Sequence, residues 1–204
     1  MDILIIIFFS YISGSIPFGL LLTKIYSDKD IRKIGSGNIG ATNVLRLGNK
    51  YLAAFTLILD ALKGFLPVVI TQFFFQEYIY ISALTAFLGH LFPVWLKFKG
   101  GKGVATYLGI LFAFSYGLGF LFIFVWITVA LIFKYSSLSS IFATMSVFII
   151  SLVRETFQLI IITNNNLRES NLYNILFIFL ILIIFTHRKN ISNLKNKTEK
   201  KIKI

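Results

Sequence analysis

The chain has 204 residues, of which 57% are hydrophobic and only 14% charged, with a formal net charge of +12. A mean hydropathy of +0.83 leaves more apolar surface than a soluble fold of this length can conceal, whereas a bilayer accepts apolar side chains on the outside of a bundle. There is no cysteine, hence no disulfide framework and no thiolate site, and two histidines are too few for a histidine-based zinc or di-iron set, so neither a metal nor another cofactor is expected.

A helix needs about 20 apolar residues to cross the hydrocarbon core. The first such run is 3–25; only Asp2 precedes it, without the basic region of a signal peptide, and it reads as a retained span. Runs at 51–76 and 78–96 follow. Residues 104–133 are apolar throughout and too long for one untilted crossing. Runs at 138–153 and 172–186 complete the set. The expected fold is therefore all-α, a polytopic transmembrane helical bundle.

Charge sets the expected topology, because Lys and Arg stay on the cytoplasmic side. One basic cluster holds Lys24, Lys29, Arg32, Lys33, Arg46 and Lys50, and a second holds Lys97, Lys99 and Lys102. The tail adds Arg188, Lys189, Lys195, Lys197, Lys200, Lys201 and Lys203. Placing all three inside requires an odd number of spans. Dividing 104–133 at Ser115-Tyr116-Gly117-Leu118-Gly119 gives seven, with the N-terminus outside and the C-terminus cytoplasmic. The loops around Glu77 and 156–171 then lie outside, and 134–137 lies inside.

Two inner loops carry the chemistry. The first, RKIGSGNIGATNVLR at 32–46, places Gly35, Gly37 and Gly40 among Ser36, Asn38, Thr42 and Asn43, bracketed by Arg32, Lys33 and Arg46. Glycines let backbone N–H groups converge on an anion, hydroxyl and amide side chains add donors, and arginine offers a planar fork to phosphate. A flexible basic loop that obeys the positive-inside rule is the plainer reading of the same residues. The second, KFKGGKGVAT at 97–106, sets Gly100, Gly101 and Gly103 around Lys102 just before a helix. That is a phosphate cradle or a glycine hinge. The spacing of a nucleotide-binding P-loop is absent.

His187, Arg188, Lys189 and Asn190 follow the last span. His90 and Pro93 end the third span, where a structural hydrogen bond is the expected use of His90. Asp60 and Lys63 lie inside the second span at i and i+3, the spacing of a pair that neutralises itself on one helical face. Supporting Lys102 or the first loop is the alternative role for that pair. Besides Asp60, the inner face offers only Asp28, Asp30 and Glu199 as carboxylates. Neither histidine begins an H-x4-D arrangement, since position 95 is Trp and position 192 is Ser, and no Ser–His–Asp set stands out. Cations without carboxylates suit substrates that bring their own negative charge, with catalysis by positioning and electrostatic stabilisation. A transporter of phosphorylated solutes would use similar loops, but would place its polar site near the midplane.

GSIPFG at 14–19, GSGNIGATN at 35–43 with Arg46, GHLFPVWLKFKGGKGVAT at 89–106, YSSLSS at 135–140 and HRKNI at 187–191 occur in series. Together they resemble the acyl-phosphate-dependent glycerol-3-phosphate acyltransferase family (PlsY) over nearly the whole chain. The resemblance implies a bacterial inner-membrane enzyme with its active site facing the cytoplasm. It would be one membrane-embedded catalytic domain over 1–190 followed by a basic tail over 191–204. It implies transfer of an acyl group from acyl phosphate to the sn-1 hydroxyl of glycerol 3-phosphate, giving lysophosphatidic acid and phosphate. It implies no metal, cofactor or nucleic acid, and it leaves the oligomeric state open, a monomer included. Ser36, His187 and Asn190 are the implied catalytic residues. Arg46, Lys102, Asn38, Thr42, Asn43, Gly100, Gly101 and Gly103 are the implied phosphate-binding residues. The chain departs from the family pattern at Asn193, where a basic residue is usual; Arg188, Lys189 or Lys195 would compensate.

Overall fold

The computed structural model describes residues 1–27, 29–161 and 172–202. Asp28, Lys203 and residues 162–171 of the expected outer loop lie outside the described residues. The described residues form α-helices and short 3-10 turns, with no strand among them.

Helices α1 (Asp2–Ser15) and α2 (Phe18–Ser27) make up the first apolar run. Pro17 breaks it. Proline has no N–H for the helical ladder and disfavours helical backbone in the residue before it, and Ile16 is accordingly extended at φ −64°, ψ 118°. Pro17 then opens α2, its carbonyl accepting from the N–H groups of Leu20 and Leu21. After the first glycine-rich loop and the short α3 (Ala41–Leu45), Asn49 caps α4 (Lys50–Phe74) by accepting from the Leu52 N–H at 2.9 Å. The 25 residues of α4 extend about 37 Å, enough to cross the hydrocarbon core. Then come α5 (Ile79–Leu91), α6 (Val104–Phe114), α7 (Tyr116–Phe133), α8 (Ser136–Ile161), α9 (Leu172–Thr186) and α10 (Arg188–Lys195).

Among the described residues, five segments are long and apolar enough to cross a membrane, namely Asp2–Ser27, Lys50–Phe74, Gln76–Leu96, Tyr116–Phe133 and Ser136–Arg154. The pair α9 and α10, bent by 57°, makes a sixth if it counts as one span. The run 104–133 is divided, as the placement of the basic clusters predicts, at Ser115, whose extended backbone (φ −165°, ψ 129°) ends α6. Gly117 and Gly119, expected in that turn, belong instead to α7. Gly119 supplies space: a side chain there would meet the ring of Phe112. With 11 residues, α6 reaches only about 16 Å. Helix α8 overruns the expected 138–153 because 154–161 contains neither glycine nor proline to stop it.

The chain divides into two compact units, Met1–Gly119 and Phe120–Ile204. In the first, α1 packs on α5, and α4 packs on α6, α5 and α1. The contacts are made by small residues. Gly14 abuts the Ala86 backbone and Gly89 the Tyr11 carbonyl, while Gly64 meets Thr106 and Gly109 meets the Ala61 carbonyl. Such close backbone approach is how helices associate where lipid already solvates apolar side chains. Ser10 and Ser82 share a buried hydrogen bond at 2.9 Å across α1 and α5. Leu4, Phe8, Phe55 and Ile58 point outward, whereas Thr56, Asp60, Lys63 and His90 are buried. That inversion fits a protein solvated by lipid. In the second unit α8 packs on α9, with the Phe148 and Phe177 rings 5.4 Å apart, and Trp126 Nε1 donates to Ser140 Oγ at 3.1 Å.

Gly109→Leu would force α4 and α6 apart. It is expected to lower the thermal unfolding midpoint in detergent, at a cost of about 1–3 kcal/mol. Gly117→Ala, whose new methyl meets nothing nearer than Ser115 Oγ at 3.5 Å, should leave the midpoint unchanged or raise it.

Candidate active site

The first glycine-rich loop is folded, not slack. Asp30 caps the turn Ile31–Lys33, accepting from the Arg32 N–H at 3.0 Å and from its guanidinium at 2.9 and 2.8 Å. The guanidinium holds the Asp30 carboxyl down at about 2, and the same bond raises Arg32. Gly35 and Gly37 take left-handed backbone at φ 61° and 72°, which side chains disfavour. At the centre sits Asn43, only 2% exposed. Its amide nitrogen donates to the carbonyls of Ile31 (3.1 Å), Ile34 (2.9 Å) and Asn38 (2.8 Å). Its oxygen accepts from the Ser36 N–H (2.9 Å) and from Arg46 Nη1 (3.4 Å). Asn38 in turn accepts from the Gly40 N–H at 2.9 Å. Beneath lies an apolar cluster of Ile31, Ile39, Val44, Leu52 and Ala53. Ser36 is exposed, and Asn38, Thr42 and Arg46 are partly exposed.

The second loop leaves α5 through a turn at Val94–Leu96, with Lys97 and Phe98 left-handed at φ 51° and 61°. It then folds back on the end of α5. The Gly100 and Gly101 N–H groups donate to the carbonyls of Leu91 (3.0 Å) and His90 (3.1 Å). These two glycines therefore serve by shape: a Cβ on Gly100 would strike the His90 carbonyl, and one on Gly101 its ring. Gly103, at φ 82°, precedes α6 without a side-chain cap, so the positive end of the helix follows directly on Lys102. Two bonds anchor the loop to α1, from the Tyr11 hydroxyl to the Phe92 carbonyl (2.6 Å) and from Trp95 Nε1 to Ser15 Oγ (2.7 Å). Asp60 and Lys63 form a buried ion pair at 2.7 Å, and Lys63 also donates to the Ile16 carbonyl at 2.6 Å.

In the second unit His187 is 2% exposed at the joint between α9 and α10. Its Nδ1 donates to the Ile183 carbonyl at 2.8 Å, which in a neutral ring makes Nε2 the acceptor nitrogen. One turn on, Asn190 Nδ2 donates to Glu199 at 2.7 Å, joined there by Ser137 Oγ at 2.8 Å and Asn193 Nδ2 at 3.3 Å. Asn193, where a basic residue was expected, thus helps hold the tail. The Ile202 N–H completes that strap by donating to the Lys134 carbonyl at 2.8 Å.

The expected site residues thus fall into three groups. Ser36, Asn38, Asn43 and Arg46 share one hydrogen-bonded loop; Gly100, Gly101, Lys102 and Gly103 share the second; His187 and Asn190 share one joint. The structural hydrogen bond expected of His90 is made with Thr106 at 3.1 Å; sequence reasoning did not find that partner, or the gathering of Ser137, Asn190 and Asn193 by Glu199. Scarcity of carboxylates was the one sequence signal pointing there, and it named Glu199 together with Asp28 and Asp30.

These features define a helical membrane protein with two folded, cation-bearing glycine loops. The glycerol-3-phosphate acyltransferase family model matches residues 4–197. The chain is 53% identical to a glycerol-3-phosphate acyltransferase of Pelagibacter ubique (strain HTCC1062) over 205 residues, covering 100% of both. It is 47% identical to that of Brucella ovis over 194 residues, covering 95% of this chain and 90% of the relative. It superimposes on the crystal structure of PlsY (YgiH), an integral membrane glycerol 3-phosphate acyltransferase, in its glycerol 3-phosphate form. The TM-score is 0.89 at 36% identity, covering 100% of this chain and 96% of the other. For the lysophosphatidic acid form of that protein the TM-score is 0.86 at 35% identity, covering 98% and 95%. The chain belongs to the glycerol-3-phosphate acyltransferase family and is an integral membrane acyltransferase of lipid synthesis.

Asn43→Ala removes the bonds that fold the first loop. It should expose Arg32, Lys33 and Arg46 to limited trypsin digestion while α4 stays protected, read by mass spectrometry of the fragments. The Asp30 cap behaves oppositely with pH from a protonated base. A depressed carboxyl contributes fully above its ordinary value of 3.8 and loses that contribution as pH falls through about 2. Loop protection in the native chain should therefore show no step from Asp30 between about pH 5 and 8, and Asp30→Asn should lower it by a constant factor across that range.

Proposed function

We propose that this chain moves a fatty acyl group from acyl phosphate to the sn-1 hydroxyl of glycerol 3-phosphate, releasing lysophosphatidic acid and phosphate. The observation that carries the reading is a pair of separately folded glycine loops in a chain of this family. One loop presents Arg46, and the other presents Lys102 ahead of an uncapped helix N-terminus. Both reactants carry phosphate, which these loops suit by charge and by their exposed or half-exposed cations. The structures of the related PlsY in glycerol 3-phosphate and lysophosphatidic acid forms agree with that choice of acceptor and product.

In this reading Arg46 and Lys102 hold substrate phosphate. Asn38 and Thr42 add donors. Asn43 acts by fixing the Ser36 N–H and Arg46, and Gly100, Gly101 and Gly103 act by leaving the loop its shape. Ser36, His187 and Asn190 orient the glycerol and the carbonyl. The hydroxyl oxygen attacks the acyl carbonyl carbon, the bond from that carbon to the phosphate oxygen breaks, and phosphate departs with the hydroxyl proton. No acyl-enzyme intervenes. The preorganised cations stabilise the negative charge that develops on the carbonyl oxygen and the leaving phosphate. The enzyme sits in the bacterial inner membrane with seven spans, α6 being the short one. The N-terminus is outside, and the active site and tail are on the cytoplasmic side. The basic clusters around both loops and along the tail support that orientation.

The test is phosphate release from acyl phosphate by pure protein, with and without glycerol 3-phosphate. Release should depend on the acceptor, and Arg46→Ala or Lys102→Ala should lower kcat/KM about 100-fold or more at normal expression. Acyl transfer to Ser36 trapped as a covalent adduct contradicts the direct attack. Movement of glycerol 3-phosphate across vesicles without consumption of acyl phosphate contradicts the enzyme reading.

A further inference from the structure

The chemistry above leaves one buried polar chain unused. It runs from the Ile16 carbonyl through Lys63 and Asp60 to His90 and Thr106. Asp60, Lys63, His90 and Thr106 are 2%, 4%, 3% and 0% exposed. His90 holds the second loop on both sides of Lys102. Before it, the His90 carbonyl accepts from the Gly101 N–H at 3.1 Å, and the His90 ring lies so close to Gly101 that no side chain fits there. After it, His90 Nδ1 is 3.1 Å from Thr106 Oγ1 in the first turn of α6. Behind the ring stands Asp60 Oδ1 at 4.0 Å, which is paired with Lys63 at 2.7 Å.

We propose that His90, backed by the Asp60–Lys63 pair and Thr106, is a positioning residue that sets where Lys102 and the N-terminus of α6 present their positive charge. The proposal rests on the reading of the second loop as a phosphate site. Two ionisable residues inside a membrane-embedded unit are costly, and well-packed apolar residues of similar volume often hold helices together as well or better. An apolar residue at position 90 would keep the main-chain bond to Gly101 but not the ring's bond to Thr106, so only a polar side chain ties both flanks of Lys102 to one residue. Asp60 stands 4.0 Å from that ring and pairs with Lys63, which donates to the Ile16 carbonyl at the Pro17 break, so residues of α1, α4, α5 and α6 meet around the loop's anchor.

The experiment measures KM for each reactant, or Kd where turnover is lost, together with kcat and the unfolding midpoint. Thr106→Val removes only the hydroxyl that meets the ring and keeps the branched shape. Lys102→Ala should raise the KM of one reactant. Thr106→Val should raise that same KM about three- to tenfold, the worth of one hydrogen bond, with the other KM little changed at temperatures below the unfolding transition of the variant. His90→Leu should exceed this effect. His90→Asn, whose amide can occupy the place of Nδ1, should recover most of the loss. A change in kcat alone that follows the folded fraction, or an equal rise in both KM values, overturns the proposal, because that is what a merely structural role produces. If Lys102→Ala moves one KM while Thr106→Val and His90→Leu leave it unmoved, positioning fails and the phosphate reading stands. If Lys102→Ala moves neither KM, the phosphate reading of the loop fails and the proposal falls with it.

Discussion

One buried ion pair inside α4 organises the first unit. Asp60 and Lys63 lie one helical turn apart with their charged ends 2.7 Å apart, and side-chain exposures of 3% and 2%. Each charge alone would cost about 2.5–3.5 kcal/mol at the centre of a bilayer on insertion scales, and removing one member of such a pair costs about 3–5 kcal/mol. The pair also reaches the first span. Pro17 interrupts that span, and at the break the Ile16 carbonyl accepts both from the Phe18 N–H at 3.1 Å and from Lys63 at 2.6 Å. A helix break in the first span and a charged pair in the second are thus two halves of one hydrogen-bonded arrangement. Gly64 beside Lys63, with Gly109 opposite Ala61, lets α6 approach closely enough for Thr106 to reach His90.

The two glycine loops reach order by different means. In the first, a single asparagine amide satisfies three carbonyls and one N–H, on a base of apolar side chains. In the second, main chain pairs with the end of α5, and the glycines are dictated by what stands next to them. In both loops many of the polar groups are paired within the fold, and Arg46 and Lys102 remain partly exposed. Arg46 is steadied by Asn43 Oδ1 while partly exposed, the kind of fixed charge that electrostatic preorganisation requires. The second unit adds a third device, a carboxylate in the tail that collects Ser137, Asn190 and Asn193.

Much of this was legible in the sequence. Apolar run length located α4 at 50–74 against an expected 51–76, and α9 at 172–186 as expected. The glycines at 35 and 37 marked a loop needing unobstructed main chain, and both take left-handed backbone there. The i, i+3 spacing announced the ion pair, because that contact is local to one helix. The hidden parts are the non-local ones. Asn43 reads as one more donor for an anion, yet its burial turns it toward loop carbonyls up to 12 residues away. Nothing in the spacing of His90 and Thr106, or of Ser15 and Trp95, says that they meet, because helix docking decides it. Ser115 rather than the nearby glycines marks the break in 104–133, since an extended residue needs no left-handed backbone. The 57° bend after α9 likewise depends on tertiary setting, as His187 is buried there.

The Pro17 break has a consequence for the order in which this protein assembles. Helix α4 carries its own counter-charge and so can enter the lipid as an independent segment, whereas the Ile16 carbonyl and the remaining lysine donors find each other only once α1 docks. Insertion and association are therefore separate stages, and the second is checked by a polar contact that no misaligned helix can make. A chain whose first helix docks out of register forgoes the bond from Lys63 to the Ile16 carbonyl, so one directional polar contact favours the native register of the bundle.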